Sequence, residues 1–339
     1  MNILLIQLRR IGDLILTTTA IAALRKQFPD AKIALAISKE SEALVPALPD
    51  VDQVIVMRRG LADFKNFMKV LRQKFDYCID FTRNDRSASL ALLSRARKRI
   101  VSVRLKRRSK FRRHAYNEFV EHRMHDMHMI EYELSLLEPL GITNLSSAVH
   151  LNLPTATRAA VEDLRKRKGI AARFVVIHPG SARIEKFWEP DRWAAVIAHA
   201  RTKRTLQCVL TGGKSDIEQN HIAEIKRKLG TDRDVVDLSG QTDLLVLAGL
   251  IAEARLLVTV DSAPVHMAAA SRTPQVVLFG PTNPFHWRPR ESPAVILQGK
   301  SEAPVTDFAP KQPRVSMNQI STQAVINAMD SLLLSERTV

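Results

Sequence analysis

Cysteine is scarce in this sequence of 339 residues, which contains only Cys78 and Cys208. Each lies in an apolar run typical of a strand, so we expect two buried thiols in a reducing cytoplasm and no disulfide framework. Long apolar runs are also missing, since none approaches the roughly 20 residues that cross a bilayer. Residues 1–8 are mostly apolar but are followed at once by Arg9 and Arg10, which argues against a secretory signal.

Cofactor motifs are absent as well. The sequence has no G-x-G-x-x-G after a predicted strand, which counts against a nicotinamide or flavin dinucleotide enzyme, and no G-x-x-x-x-G-K-[ST], which counts against a P-loop. No cluster of Asp, His or Cys has the spacing of metal ligands. The sequence therefore predicts a protein that works with no metal and no cofactor.

Positive charge is abundant and concentrated in one place. Lys and Arg number 51 against 35 for Asp and Glu, giving a net charge of +16, and residues 95–113 contain eleven basic residues and no acidic one. This basic segment predicts an anionic partner (nucleic acid, a membrane surface, or a phosphorylated or carboxylated substrate) or else a solvated loop with no specific partner. Only Phe111 and Tyr116 lie nearby among aromatic residues, which argues against single-stranded nucleic acid.

Strand-like and helix-like segments alternate through most of the chain, which predicts parallel sheets covered by helices on both faces. The texture changes over residues 150–171, where a proline turn and a short, highly charged helix interrupt the alternation. We therefore predict two Rossmann-like domains facing a central cleft, over residues 1–155 and 172–315. Residues 316–339 are expected to form a helix that packs back towards the N-terminal domain.

The loop after the first strand carries Gly12 and Asp13, just before a helix expected over about residues 14–28. Gly12 permits close backbone approach or an unusual φ angle, and a carboxylate at a helix start is stabilised by the free N–H groups there. Asp13 is thus a candidate general base for an attacking hydroxyl. The alternative is an ordinary helix-capping aspartate.

Two later loops offer groups that suit a phosphate or a ribose. Ser181 supplies a hydroxyl, and Lys186 supplies a mobile positive charge. The paired glycines 212 and 213 would let a ligand approach the backbone, with Glu218 near enough to bind ribose hydroxyls. Trp188 is expected to pack in the core.

The segment LLVTVDSAPVHMAAA, residues 256–270, predicts a buried strand that ends at Asp261 and a helix that begins after Ser262. Free N–H groups at such a helix start, Ala263 among them, form an anion site beside His266. After the next strand, Gly280 and Thr282 would face the same place. The alternative is an ordinary turn with a capping serine and a surface histidine.

Together these segments resemble the bacterial heptosyltransferases of lipopolysaccharide core synthesis, the ADP-heptose family of glycosyltransferases with the GT-B fold. The resemblance rests on GDLILTTTAIAALRKQFP, HMIEYELSLLEPLGI, HPGSARIEKFWEPDRWAAVI and TVDSAPVHMAAASRTPQVVLFGPTNP, which occur in the family's order. The family often has Pro directly after the Trp of K-x-W, whereas Glu189 precedes Pro190 here, a shift expected to change only the helix start.

The resemblance implies an acceptor site on the N-terminal domain, a nucleotide-sugar site on the C-terminal one, and an inverting transfer of heptose from ADP-heptose to the lipopolysaccharide inner core. Asp13 would be the catalytic base and Lys186 would stabilise the ADP leaving group. The donor-binding residues would be Gly12, Ser181, Glu218, Asp261, Ser262, Ala263, His266, Gly280 and Thr282.

The basic segment is the part least like the family, and the resemblance puts it on the acceptor side. Its residues Arg107, Arg108, Arg112 and Arg113 are expected to bind an anionic glycolipid acceptor, in peripheral contact with the cytoplasmic face of the inner membrane. Two alternatives stay open. One is a GT-B enzyme with another nucleotide sugar, or a sugar epimerase. The other is a nucleic-acid-binding protein, which is not expected because it leaves the loops at Gly12, Lys186 and Ser262 unexplained.

Overall fold

Aliphatic and β-branched runs form two parallel six-stranded sheets in the computed structural model, which describes residues 1–58, 60–103, 110–143, 146–230 and 235–335. The chain divides into two units, Met1–Asn152 and Leu153–Val339, with one sheet in each. The parallel α/β fold class predicted from the alternation of segments is therefore confirmed.

The sheet of the first unit is built from β1 (Asn2–Gln7), β2 (Lys32–Ser38), β3 (Gln53–Met57), β4 (Tyr77–Asp80), β5 (Lys98–Ser102) and β6 (Glu118–Val120). Its strand order is β3-β2-β1-β4-β5-β6, and every pair is parallel. Residues Ile3–Ile6 of the central strand are fully buried, as expected for a parallel strand covered on both faces.

The helices of this unit are α1 (Ile11–Gln27), α2 (Phe64–Arg72), α3 (Asp85–Ser94), α4 (Lys110–Ala115) and α5 (Met129–Ser135). The helix α1 begins three residues before the position predicted from the sequence, so Asp13 lies inside its first turn. At the start of α5, the Nδ1 atom of His128 accepts a hydrogen bond from the Ile130 N–H, at 3.2 Å. These local interactions fix where each helix begins.

The second sheet is built from β7 (Phe174–His178), β8 (Gln207–Leu210), β9 (Val235–Asp237), β10 (Leu256–Val260), β11 (Gln275–Phe279) and β12 (Ala294–Gln298). Its order is β12-β11-β10-β7-β8-β9, which repeats the order of the first sheet. All of its pairs are parallel as well.

The helices of the second unit are α6 (Thr155–Lys168), α7 (Pro190–Arg204), α8 (Asp216–Leu229), α9 (Leu244–Glu253), α10 (Ala263–Ser271), α11 (Pro284–Trp287) and α12 (Thr322–Ser335). The helix α7 begins with Pro190 after Glu189, as expected. Trp188 is buried as predicted, and the thiols of Cys78 and Cys208 are free and buried.

The division between the units falls inside the boundary region predicted over residues 150–171, and α6 belongs to the second unit. The buried face of α12, including Ala324, Ala328 and Met329, belongs to the core of the second unit. The expectation that residues 316–339 pack back towards the N-terminal domain stays a prediction. The apolar side chains of α12 pack against α7 and against strands β10, β11 and β12 of the second sheet.

Both sheets reverse their strand order at one place, between β1 and β4 in the first sheet and between β7 and β10 in the second. Ligands of open α/β sheets bind outside the carboxyl ends of the strands at such a point. The segments that follow the ends of these four strands contain Asp13, in the first turn of α1, and Arg83, Lys186 and Asp261, in loops. The topology therefore selects the same loops that the sequence singled out, with one addition after β4.

Candidate active site

Asp13 lies in the first turn of α1 and is 5% exposed. Its Oδ1 atom is 3.3 Å from Nε of Arg9, one turn back along the chain. Burial raises the pKa of this carboxyl, and the positive charge of Arg9 and the Arg10 N–H oppose that rise. A buried carboxylate with a raised pKa and a cation beside it has the properties of a general base.

A second buried carboxylate, Glu133 of α5, shares this environment and was missed from the sequence. The side-chain amide of Gln7 donates hydrogen bonds to Oε1 of Glu133, at 3.0 Å, and to Oγ1 of Thr17, at 2.9 Å. Burial, and after it the negative charge of Asp13, raises the pKa of Glu133 well above its usual value. A sequence signal was available, because Glu133 stands on the apolar face of a short helix.

Arg83 was also missed, since the loop after β4 carries no recognisable motif. Its backbone takes a φ of 64° and its N–H donates to both carboxylate oxygens of Asp80, at 3.1 and 3.2 Å. The guanidinium lies 4.9 Å from the centre of the Tyr132 ring. Its positive charge opposes the rise in the pKa of Asp13. This part of the first unit therefore combines buried carboxylates with nearby guanidinium groups.

In the second unit, three predicted residues are brought together. Lys186 and Asp261 form a buried ion pair, with Nζ donating to Oδ2 of Asp261 at 2.6 Å and to its backbone oxygen at 2.8 Å. Both side chains are only 9% exposed. The Thr282 hydroxyl donates to the same Oδ2 atom, at 2.7 Å. The sequence predicted these groups near one another but not their direct contact.

His266 lies in α10 and is buried, which excludes the alternative of a surface histidine. Burial is the main cause that lowers its pKa to about 4; the negative charge of Asp261 opposes this shift, and the positive charge of Lys186 adds to it. The imidazole is therefore neutral at pH 7. Ser262 does stand at the N-cap, but its hydroxyl donates to the Val260 backbone oxygen, at 3.2 Å, and does not cap the helix. Ala263 is the first residue of α10 and is partly exposed.

The glycines in the loops after β7 and β8 lie against the carboxylate of Glu218. A Cβ atom on Gly213 would lie 2.6 Å from Oε1 of Glu218, and one on Gly180 would overlap the same carboxylate. The Gly213 N–H donates to Oε2 of Glu218, at 2.9 Å. These glycines thus make room for the Glu218 carboxylate, and the predicted approach of a ligand to this backbone stays a prediction. Ser181 is nearly buried and accepts a hydrogen bond from the Arg183 N–H, at 3.4 Å.

Two further glycines belong to the predicted donor site. Gly12 lies in the helical backbone of α1 in the first unit, so the unusual φ that the sequence allowed is not seen. A Cβ atom on Gly280 would overlap the Met317 side chain, so this glycine leaves room for a core methionine. Their roles in donor binding stay predictions.

The predicted acceptor arginines fall into two groups. Arg107 and Arg108 lie outside the described residues. Arg112 in α4 donates to the Asp85 carboxylate, at 2.6 Å, while Arg113 is exposed. Part of the basic segment is the strand β5, where Arg99 donates to the backbone oxygen of Ala115 at 2.8 Å. Several of its charges therefore stabilise the fold.

Across the described ranges, no helix is both long and apolar enough to cross a membrane. Nor do three or more His, Cys, Asp or Glu side chains of these residues come together in a group that could hold a metal ion.

A family model and a sequence relative both identify heptosyltransferases as similar to this chain. A family model described as glycosyltransferase family 9 (heptosyltransferase) matches residues 64–313. Lipopolysaccharide heptosyltransferase 3 of Escherichia coli is 30% identical over 337 residues, which cover 96% of this chain and 98% of that protein.

Solved structures extend the likeness to the fold. A glycosyl transferase family 9 structure from Veillonella parvula superposes with a TM-score of 0.84 at 24% identity, covering 98% of this chain and 97% of that one. The E. coli ADP-heptose lps heptosyltransferase II has a TM-score of 0.81 at 21% identity, with both chains covered completely. The GT-B architecture expected from the resemblance is therefore confirmed.

Proposed function

This chain belongs to glycosyltransferase family 9, the heptosyltransferases, and on that premise we propose that it transfers heptose from ADP-heptose to the inner core of lipopolysaccharide, inverting the anomeric centre. In this proposal the first unit holds the acceptor and the second holds the donor. The observation that carries it is the buried Lys186–Asp261–Thr282 cluster at the strand-order reversal of the second sheet.

The proposed roles of the donor-site residues follow from the charge of the departing ADP. The departing ADP gains negative charge as the bond between the anomeric carbon and the phosphate oxygen breaks. The ammonium of Lys186, held by Asp261 in a nearly water-free position, is a preorganised partner for that charge. The neutral imidazole of His266 can donate or accept a hydrogen bond without adding charge. We assign Ser181, Glu218, Ser262 and Ala263 to the surrounding donor site as part of the proposal.

Asp13 is the proposed base. It accepts the proton of the acceptor hydroxyl while that oxygen bonds to the anomeric carbon on the face opposite ADP. Burial raises the pKa of Asp13 towards the working pH, which improves proton acceptance, and the charge of Arg9 keeps the ionised form accessible. No step of this mechanism needs a metal ion.

An anionic glycolipid is the proposed acceptor. Arg9 and Arg83 bring positive charge to the surroundings of Asp13, and the basic segment adds a larger positive field. Arg113 is the exposed member of the predicted acceptor set within the described residues. We further propose that the enzyme works in peripheral contact with the cytoplasmic face of the inner membrane, where such an acceptor would be presented.

A donor screen tests this function. Purified protein is assayed for release of the nucleoside diphosphate from ADP-heptose and from UDP- and GDP-linked sugars, with a heptose-deficient lipopolysaccharide as acceptor. We expect turnover with ADP-heptose, and Asp13→Asn is expected to lower kcat by about 10²–10⁴-fold because the proton acceptor is lost. Calorimetry should find ADP affinity unchanged, because Asp13 lies in the unit that does not hold the donor.

Asp163→Asn is the matched control, since this exposed carboxylate on α6 pairs only with Arg167 among the interactions described, and it should leave kcat unchanged. A preference for UDP over ADP would overturn the donor assignment and favour another nucleotide-sugar enzyme of this fold, an epimerase included. Full turnover by Asp13→Asn would remove Asp13 as the base.

A further inference from the structure

Two phenylalanine rings on helices of the first unit are exposed to solvent. Phe64 is the first residue of α2 and is 66% exposed, and Phe111 is the second residue of α4 and is 45% exposed. Phe67, one turn after Phe64, packs against the apolar core of this unit. The apolar stripe of α2 therefore continues for one turn past the core that it covers, which leaves its first ring available to a partner.

Ion pairs with the first turn of α3 hold the two rings near one another. Arg86 of α3 donates to the carboxylate of Asp63, which precedes the exposed ring of α2 in the chain. Arg112, which follows the exposed ring of α4, donates to the carboxylate of Asp85 of α3, at 2.6 Å. The three helices contribute side chains to one apolar core, and α3 contacts both α2 and α4. The two rings therefore flank the first turn of α3 on one surface of the unit.

Basic side chains accompany the rings. The sequences of α2 and α4 contain no acidic residue, and the acidic side chains between the rings are each paired with an arginine. Lys65 directly follows the ring of α2, Arg113 lies two residues after the ring of α4, and both are exposed. The docking surface is defined here as Phe64, Lys65, Phe111 and Arg113. Its composition is typical of protein surfaces that lie on anionic bilayers, where apolar rings enter the boundary of headgroups and acyl chains and cations attract lipid phosphates.

A series of contacts within the first unit connects the docking surface to the proposed base. The Arg112 guanidinium donates to the backbone oxygen of Arg83, at 3.5 Å. The guanidinium groups of Arg83 and Arg9 both donate to the sulfur of Met124, at 3.0 and 3.7 Å. Arg9 in turn forms the ion pair with Asp13. A bilayer at the docking surface would therefore lie close to the part of the unit that carries Asp13.

We propose that the docking surface binds an anionic bilayer, with the rings of Phe64 and Phe111 inserted between the lipid headgroups. The inference rests on the proposed glycolipid acceptor, because docking here brings Asp13 to a sugar whose acyl chains stay in the membrane. Charge alone would suit any polyanion. Exposed phenylalanine rings also gain free energy from acyl chains, which a bilayer offers and nucleic acid lacks.

The first test reads insertion directly. The native tryptophans all belong to the second unit, and they are Trp188, Trp193 and Trp287. Phe64→Trp and Phe111→Trp therefore each add a fluorescent reporter to the first unit. Vesicles of phosphatidylglycerol and phosphatidylcholine in equal amounts, with bromine on the acyl chains, are expected to quench both added signals. Ile217→Trp is the matched control, since Ile217 is 50% exposed on α8 of the second unit, and its added signal should not be quenched.

The second test connects docking to sugar transfer. Phe64→Ser and Phe111→Ser should each lower the partition of the protein onto these vesicles on the order of tenfold, whereas Ile217→Ser should not. ADP release with the acceptor embedded in the vesicles should fall by a similar factor in the two phenylalanine variants. With a deacylated, water-soluble acceptor their rates should equal that of the unsubstituted protein, because neither ring belongs to the reacting site.

Three results would overturn the inference. The first is an absence of quenching in Phe64→Trp and Phe111→Trp, or equal quenching in Ile217→Trp. The second is unchanged vesicle partition in both serine variants. The third is binding to nucleic acid that is tighter than binding to the vesicles and is lost in the same variants. Quenching and partition need no turnover, so a failure of the proposed heptosyl transfer would be seen separately, as a lack of ADP release with the soluble acceptor.

Discussion

At the scale of single residues, the site depends on charges that are buried in pairs. Lys186 and Asp261 neutralise each other, and Asp13 faces Arg9. A buried pair gives little net stability, but removal of one partner strands the other in a medium that solvates it poorly. Such pairs therefore suit a role in charge chemistry better than a role in stabilising the fold.

Lys186→Met should therefore have two separable effects. We expect the free energy of unfolding to fall by about 3–5 kcal/mol, because Asp261 is left buried and unpaired, and heptosyl transfer to be lost with it. The double variant Lys186→Met/Asp261→Leu removes both charges and should regain much of the stability while activity stays lost. Urea unfolding and the ADP-release assay measure the two effects. Recovery of activity in the double variant would contradict a role for Lys186 in leaving-group stabilisation.

At the scale of elements, close packing depends on glycines that look unremarkable in the sequence. Gly249 in α9 faces α6, and a Cβ atom there would lie 2.7 Å from Cγ2 of Val161. Valine is stiff at χ1, so it cannot move aside cheaply. This contact is one reason why α6 belongs to the second unit.

Gly249→Ala is expected to destabilise the protein by about 1–2 kcal/mol, because overpacking outweighs the better helix propensity of alanine. Val161→Ala creates space at the same contact, so the double variant should be more stable than the sum of the single effects by about 1 kcal/mol or more. Thermal unfolding of the four proteins in this cycle measures the coupling. Additive effects would mean that the two helices do not meet as tightly as the structure indicates.

At the scale of the whole molecule, a net charge of +16 gives the protein a positive electrostatic field. Ion pairs between basic and acidic side chains, such as Arg112 with Asp85, offset this field only in part. This field agrees with the proposal of an anionic glycolipid acceptor at a membrane surface. Its largest contribution comes from the basic segment, where strand β5 and helix α4 already use some of the charges.

Vesicle binding tests this field. The protein should sediment with vesicles that contain anionic phosphatidylglycerol and not with phosphatidylcholine vesicles, and the binding should weaken as salt rises. Arg113→Ser should reduce binding more than Arg112→Ser, because Arg112 is paired with Asp85. Equal binding to both kinds of vesicle would contradict electrostatic attraction. Binding to nucleic acid with a steeper salt dependence would favour the alternative partner.

The sequence by itself determined those features that depend on residues close together in the chain, namely the strands, the helices and their ends. The alternation of apolar strands and helices predicted the two parallel sheets. Strand ends and helix starts, which are visible in the pattern, singled out Asp13, Lys186, Asp261 and Thr282 as candidates. Such features extend over a few residues, so periodicity and turn chemistry reveal them.

Only the tertiary structure decided what depends on distant partners. Gln7 meets Glu133 across 126 positions of the chain, Gly280 makes room for Met317, and the buried face of α12 joins the core of the second unit. No local pattern encodes these contacts, because a side chain looks the same in the sequence whether it faces a ligand, a neighbouring helix or solvent. The chain's fold thus decides which of its glycines are structural and which carboxylates share one buried site.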